Sequence, residues 1–431
     1  MSMAEIGTEQ REKVWNAIDR EGLVRFARDL VDIPSATGEE EECALFIEKH
    51  FRNMGLRVQM QEVEPGRPNC IGTLPGSGGG AHLLFDGHMD TSYTGREDFM
   101  PDNPAFKPKS FEEDGWIYGL GIYNMKGALA CYAAAVAAVQ DAGIELPGDV
   151  TVAAVVGEIE RGPVDRYQGA HYRGGGVGTG YMVTHGGIAD LAVIGEPTGL
   201  TLLPGHLGYM WSKVTLTGPP SHTSYSHKFP NTILQMTRII ETLHEWGQDY
   251  RERRSYRGYP ANLNLAAIEG GWPYRCSRTP VYCTLYIDTR VPPTVSMMDV
   301  KNEILEVLDG VKRENPDIEP VLETLMSVPG TEVDEDSPVY QAMVRAHSAV
   351  FGEGPEVISE AYISDATYLN RFGVPALNYG PSGRLRTTPE SRWDPNAGEH
   401  VSIDDLYDCT RVYASLILDV CGKLRSEVLG K

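Results

Sequence analysis

Imidazole and carboxylate side chains stand at the ends of three apolar runs in this 431-residue chain. His88 and Asp90 close the run HLLFDGHMDT, Glu158 and Glu160 close DVTVAAVVGEIE, and Glu196 closes ADLAVIGEPT. Side chains of these types ligate metals and move protons. A carboxylate at the end of a buried strand needs a counter-charge. An imidazole with an aspartate two residues on has a partner for its second ring nitrogen, which is the usual arrangement at a metal. Other hydrolytic chemistries lack their motifs: the chain has no GxSxG elbow, and none of its seven cysteines sits in a reactive motif.

The elements that must carry these residues follow from periodicity. Each of the three runs has strand length and stops in polar residues, so each predicts a buried strand with its carboxyl end at a cleft. Helical spacing over 9–33, 39–55 and 126–142 alternates with them. The pattern predicts an α/β fold with a sheet flanked by helices, whose site lies at the strands' carboxyl ends. SATGEE, Ser35 to Glu40, reads as a turn capping the second helix. From about Gly205 the order becomes β-α-β-β-α-β, which predicts an inserted ferredoxin-like α+β domain. The expected boundaries are 1–204 and 329–431 for a discontinuous catalytic α/β domain and 205–328 for the insert. The glycine patches GSGGG (76–80) and RGGGVGTG (173–180) lack the Walker Lys-Ser/Thr, and no helix is expected after them, so they read as flexible turns.

A formal charge of −22 argues against a nucleic-acid groove or an anionic membrane surface as partner, since both need a basic footprint. The apolar stretch ALACYAAAVAAV reads as a buried helix, too short for a bilayer, and the N-terminus has no signal-peptide core. Scattered cysteines without framework spacing suit a reducing cytoplasm.

Six motifs in order, GHMDT, GIYNMKG, GEIERG, GEPT, GPPSHTS and GEHVSID, resemble the co-catalytic zinc peptidases and amidohydrolases that include carboxypeptidase G, acetylornithine deacetylase and succinyl-diaminopimelate desuccinylase. The resemblance covers nearly the whole chain. It implies a hydrolase-like mixed sheet with an inserted dimerisation lid. It makes His88 and Glu196 metal ligands, Asp90 the partner that orients the imidazole, and Glu158 the general base that takes a proton from the attacking water. It aligns His222 with a lid histidine that serves the partner subunit's site, Arg290 with an arginine holding a substrate carboxylate, His400 with a ligand of a second metal, and Asp365 with an aspartate near the site. Glu160 competes with Glu158 for the base role, and Arg290 can instead pair with Asp288.

Two positions depart from that pattern. Asn124 stands where the family has an aspartate bridging two metals, and Ile159 stands where it has a glutamate for the second metal. An amide offers a single ligating oxygen, and an alkyl group offers none. The expectation is therefore one divalent metal per chain, Mn or Zn, held by His88, Asn124 and Glu196, with His400 left to the substrate. The expected reaction is hydrolysis of a C–N bond in a small carboxylate substrate, by a homodimer formed through the inserted domain. One divergent branch, that of 5-nitroanthranilate aminohydrolase, expels ammonia from an aromatic ring. Tyr118, Tyr123, Tyr167, Tyr172, Tyr181, Tyr209, Trp211 and Tyr225 offer rings for such a substrate. N-acyl amino acid deacylation or carboxypeptidase action is the alternative, and a binding protein without turnover is a third reading.

Overall fold

The computed structural model describes residues 7–360, 362–382, 394 and 396–430. The chain divides into two compact units: residues 1–204, 332–358 and 364–431 form the first, and 205–331 with 359–363 form the second.

The first unit opens with three helices, α1 (Thr8–Asn16), α2 (Arg20–Val31) and α3 (Glu41–Asn53). The single helix expected over 9–33 is broken because Asp19 caps a new one, its Oδ1 accepting from Gly22 N at 2.9 Å. β1 (Arg57–Glu64) and β2 (Arg67–Leu74) form an antiparallel hairpin. β3 (Leu83–His88), β4 (Phe111–Glu113), β5 (Trp116–Tyr118), α4 (Gly127–Asp141), β6 (Val150–Val155), α5 (Val177–Thr184) and β7 (Leu191–Ile194) follow. The main sheet has the order β1, β2, β6, β3, β7 and the strand Ala376–Asn378. β6, β3, β7 and Ala376–Asn378 run parallel, while β2 meets β6 antiparallel. Strands β3, β6 and β7 are buried along their whole length, as parallel strands covered by helices must be. The sheet is thus the mixed, helix-flanked one expected.

α4 carries seven buried residues that are Gly, Ala or Cys, which lets neighbouring helices approach closely. It packs against α2 and the long helix Ile403–Cys421. The stretch Ile122–Asp141 is long and apolar enough to cross a membrane by length and composition, contrary to the sequence expectation, yet 78% of its apolar window is buried inside the unit. It is a core helix. The second glycine patch also differs from expectation. Gly175 and Gly176, at φ 70° and 83°, turn the chain directly into α5.

The second unit has the expected β-α-β-β-α-β order. A four-stranded antiparallel sheet runs Asn262–Gly270, Tyr282–Val291, Gly208–Thr217, Val321–Val328. Two helices, Thr232–Arg253 and Met297–Glu314, supply the other layer. The alternation along Gly208–Thr217 puts Met210, Val214 and Leu216 into a core with Met236, Ile239, Leu243, Ile304 and Leu308.

Candidate metal centre

β3, β6 and β7 end side by side, so the residues just past them converge. His88, Glu158 and Glu196 each offer a ligand atom within 4.8 Å of the others, and all three are buried. Among the described residues this is the one group of three such side chains so arranged.

Each member is fixed by its own surroundings. His88 is fully buried, and its Nδ1 donates to the main-chain oxygen of Asp90 at 2.9 Å. Its Nε2 then faces the centre, 3.6 Å from Glu158 Oε2 and 3.1 Å from Asn124 Oδ1. Burial alone would drive the imidazole neutral, but the Glu158, Asp90 and Glu196 carboxylates override it and hold its pKa well above the ordinary value. The pocket therefore favours positive charge beside Nε2. Burial, and then Glu196, pushes the Glu158 carboxyl well above its ordinary range, and burial pushes Glu196 up to about 7. Glu196 Oε1 is buried and meets no hydrogen-bond donor. The imidazole nitrogen turned inward and the Glu158 and Glu196 carboxylates, one oxygen of Glu196 without a donor, fit a divalent cation, with the Asn124 amide oxygen beside the imidazole.

Asp90 meets the His88 ring twice: its backbone carbonyl accepts from Nδ1 at 2.9 Å, and its carboxylate lies 3.5 Å from the same nitrogen as an ion-pair partner. The carboxylate accepts from Glu158 N at 3.0 Å, Ile159 N at 3.2 Å and Thr37 Oγ1 at 2.8 Å. It pins the turn after β6, and so sets where Glu158 points. Thr37 comes from the SATGEE turn, which does not cap α3: Glu40 at the helix start makes no side-chain cap bond. Ser35 donates to Met89 O at 2.7 Å, and Glu40 binds Arg67 through two bonds of 2.6 and 2.9 Å. That buried ion pair holds Arg67 protonated. Arg67 also crowds Gly157, whose φ is +65°; a Cβ there would lie 2.7 Å from Arg67 Nη2 and 2.6 Å from Val177 Cγ2. Glycine directly before Glu158 is thus required twice over.

Asn124 lies in a five-residue π-turn, Ile122–Lys126, preceded by Gly121 at φ 91°. The Asn124–Met125 peptide is cis. Ile159 presents its alkyl side chain and is 9% exposed. Glu160 and His400 both lie outside the three-residue donor group. His400 Nδ1 donates to Gly398 O at 3.1 Å, and its ring packs between Trp116 and Tyr118 at centroid distances of 5.4 and 5.5 Å. Phe111 stacks on Tyr118 in turn, at 4.8 Å.

The other aromatic residues of that set have local partners within their own units. Tyr181 stacks on His185, Tyr167 meets Tyr172 edge-on, and Tyr209 and Trp211 belong to the second unit with Tyr225. Arg290, also in that unit, pairs with Asp288 at 3.0 and 3.1 Å, the structural partner its sequence neighbourhood offers. His222 is exposed there and accepts from Ser224 N at 3.2 Å through Nδ1.

Three contributors, Thr179, Asp86 and Glu399, are not legible in the sequence as site residues. Thr179 places its hydroxyl 2.8 Å from Asp86 Oδ2 and 2.9 Å from Asp365 Oδ2. One hydroxyl proton cannot serve both carboxylates, so one of the acids brings its own; burial pushes Asp86 up to about 7 and Asp365 well above its ordinary range. Glu399 Oε2 accepts from Gly121, Tyr123 and Asn124 N at 2.8, 3.2 and 3.4 Å. Its place directly before His400 is the one signal that could have found it.

Comparison with known proteins agrees with this geometry. The chain is 24% identical over 438 residues to N-formyl-4-amino-5-aminomethyl-2-methylpyrimidine deformylase of Bacillus subtilis (strain 168), covering 95% of this chain and 96% of that one. It is 24% identical over 417 residues to succinyl-diaminopimelate desuccinylase of Gluconacetobacter diazotrophicus, covering 92% and 96%. The solved structure of the dipeptidase Dug1p from Saccharomyces cerevisiae superposes with a TM-score of 0.74 at 14% identity, covering 97% of this chain and all of that one, which shows a shared fold. Residues 84–419 match the profile of peptidase family M20/M25/M40, and the chain belongs to that family of metal-dependent hydrolases acting on C–N bonds.

Proposed function

We propose that the protein hydrolyses a C–N bond in a small carboxylate substrate with a single divalent ion, Mn or Zn, held by His88, Glu196 and Asn124. The observation that carries this is the donor set. One three-residue group converges, an amide stands beside it, and an alkyl side chain occupies position 159. Bound there, the ion supplies Lewis acidity and a water of lowered pKa. The rest belongs to the chain. Glu158, raised in pKa and 3.6 Å from His88 Nε2, takes the proton of the attacking water and returns it to the leaving nitrogen. Asp90 holds Glu158 in place through its main-chain N–H. His400, set in its aromatic stack, contacts substrate. Arg290 supplies the carboxylate contact once substrate competes with Asp288 for its guanidinium.

For the substrate we favour an aromatic amine carboxylate such as 5-nitroanthranilate, in which water adds to the amine-bearing ring carbon and ammonia leaves. The departures at 124 and 159 and the Trp116–His400–Tyr118–Phe111 stack support this. The deformylase and desuccinylase relatives support a second reading, hydrolysis of an N-acyl group. Parallel assays decide between them: ammonia release from 5-nitroanthranilate against acid release from N-formyl and N-succinyl amines. Acid release alone would discard the first reading. Metal analysis of the purified chain is expected to give about one equivalent, and two equivalents would remove the single-ion reading.

We assign self-association to the second unit, with His222 acting at the partner's centre. Exposed Tyr225, Phe229, Ile233, Leu234 and Ile268, from 42% to 68% accessible, support a buried partner face there. Seven free cysteines, six of them buried, suit a cytoplasmic setting.

A further inference from the structure

An amide oxygen is a weak ligand. A carboxylate draws itself to a cation by charge, whereas a neutral amide contributes only when its oxygen already stands in place. The short turn that carries Asn124 is too irregular to guarantee that by itself. Asn124 and Met125 leave the helical region at φ/ψ −132°/98° and −133°/32°. Something outside the turn must fix it.

Two polar side chains do so. Glu399 directs one carboxylate oxygen at three main-chain donors, Gly121, Tyr123 and Asn124 N. Convergent N–H groups of this kind form an anion-binding nest. On the other side, Lys126 is 1% exposed and donates through Nζ to Leu30 and Ile33 O at 2.8 Å each, tying the turn to the end of α2. Glu399 is itself tied into the fold: Gly119 N donates to its carbonyl at 3.1 Å, and His400 begins a strand paired with β5.

We infer that Glu399 is a positioning residue for the metal centre, holding the Asn124 turn so that the amide oxygen faces His88 Nε2 as a ligand. The inference rests on the reading that Asn124 binds the ion. Glu399 is not a ligand and does not touch substrate; it acts through Asn124, and Lys126 braces the same turn.

The test is a double-mutant cycle on metal affinity in the full chain, with no substrate present. Metal-stripped wild type, Glu399→Gln, Asn124→Ala and the double variant are titrated with Mn2+ against a chelating indicator. Glu399→Gln keeps size and one acceptor oxygen but removes the charge. It is expected to weaken binding by about 10- to 100-fold, the range for residues that support a ligand. The metal-free melting midpoint should stay at the wild-type value. The two losses should not add in the double variant, because both act through one oxygen. Glu399→Gln binding metal as wild type does, or losses that add in full, would overturn the inference. Should Glu399→Gln not fold, Glu399→Asp, which keeps the charge but withdraws the oxygen, replaces it in the cycle, and the same two outcomes decide. A wild type that binds two equivalents sinks the single-ion reading instead, and an Asn124→Ala that binds normally sinks the reading of Asn124 as a ligand.

Discussion

Restoring a carboxylate at position 124 is the sharpest perturbation of this centre. Asn124 Oδ1 lies 3.1 Å from His88 Nε2, and Glu158 Oε2 lies 3.6 Å from the same nitrogen. A carboxylate replacing that amide would stand about 3 Å from the His88 ring nitrogen, whose pKa is held well above the ordinary value, and no more than about 7 Å from Glu158, whose carboxyl burial pushes towards the neutral form. At one effective dielectric the attraction at about 3 Å exceeds a repulsion at about 7 Å by about twofold. Without metal, Asn124→Asp should therefore leave the melting midpoint at or above the wild-type value. A divalent ion carries twice the charge of the imidazolium it would replace as the partner of that carboxylate. Metal affinity should rise by at least about tenfold, which corresponds to about 1.4 kcal/mol. Stoichiometry should stay at one, since Ile159 still offers no donor. The assay is thermal melting of stripped and loaded protein, with Mn2+ titration and elemental analysis of the same samples. Unchanged affinity, or a metal-free midpoint several degrees below wild type, would refute the placement of Asn124 beside His88 at the ion. A second equivalent in this single variant would refute the argument from Ile159.

Other consequences are more direct. Glu158→Gln should lower kcat by about 10²–10⁴-fold with metal still bound; a variant of ordinary activity moves the base role to Glu160. Glu40→Gln removes one of two carboxylates paired with buried Arg67, Glu64 at 2.8 Å being the other, and should cost about 1–3 kcal/mol of stability in chemical denaturation. Gly157→Ala forces a positive-φ backbone and a clash with Arg67 and Val177, so it should cost about 1–3 kcal/mol and displace Glu158. A fully active, equally stable Gly157→Ala protein would show that the turn after β6 relaxes freely.

Much of this is written in the sequence, because strand periodicity and residue type carry it. The runs ending at His88, Glu158 and Glu196 read as buried strands, and parallel pairing then brings their ends together without further information. The insert declares itself by its element order. What sequence does not show is where polar residues spend their hydrogen bonds. Ser35, Thr37 and Glu40 read as a cap, yet they serve Met89, Asp90 and Arg67, from 27 to 54 positions away in the chain. Asp90 reads as the partner of His88 through its carboxylate, yet its backbone carbonyl shares that nitrogen, at 2.9 Å against 3.5 Å. Such choices depend on distances of a few tenths of an ångström, which spacing does not encode. Glu399 is hidden for a related reason. Its targets are main-chain N–H groups, and those leave no mark in residue identity.

The sheet order has a bearing on how the protein is made. β7 pairs on one side with β3 and on the other with Ala376–Asn378. Its second neighbour leaves the ribosome roughly 180 residues later, about 10–40 s at ordinary synthesis rates. In that interval the second unit can emerge whole and fold, while the first waits with an open edge. Asp365 emerges near the end of that wait, and Glu399 after it, both later than every residue that converges at His88. A nascent chain thus carries all its ion-holding side chains well before Asp365 and Glu399, and metal added during translation meets an unfinished pocket.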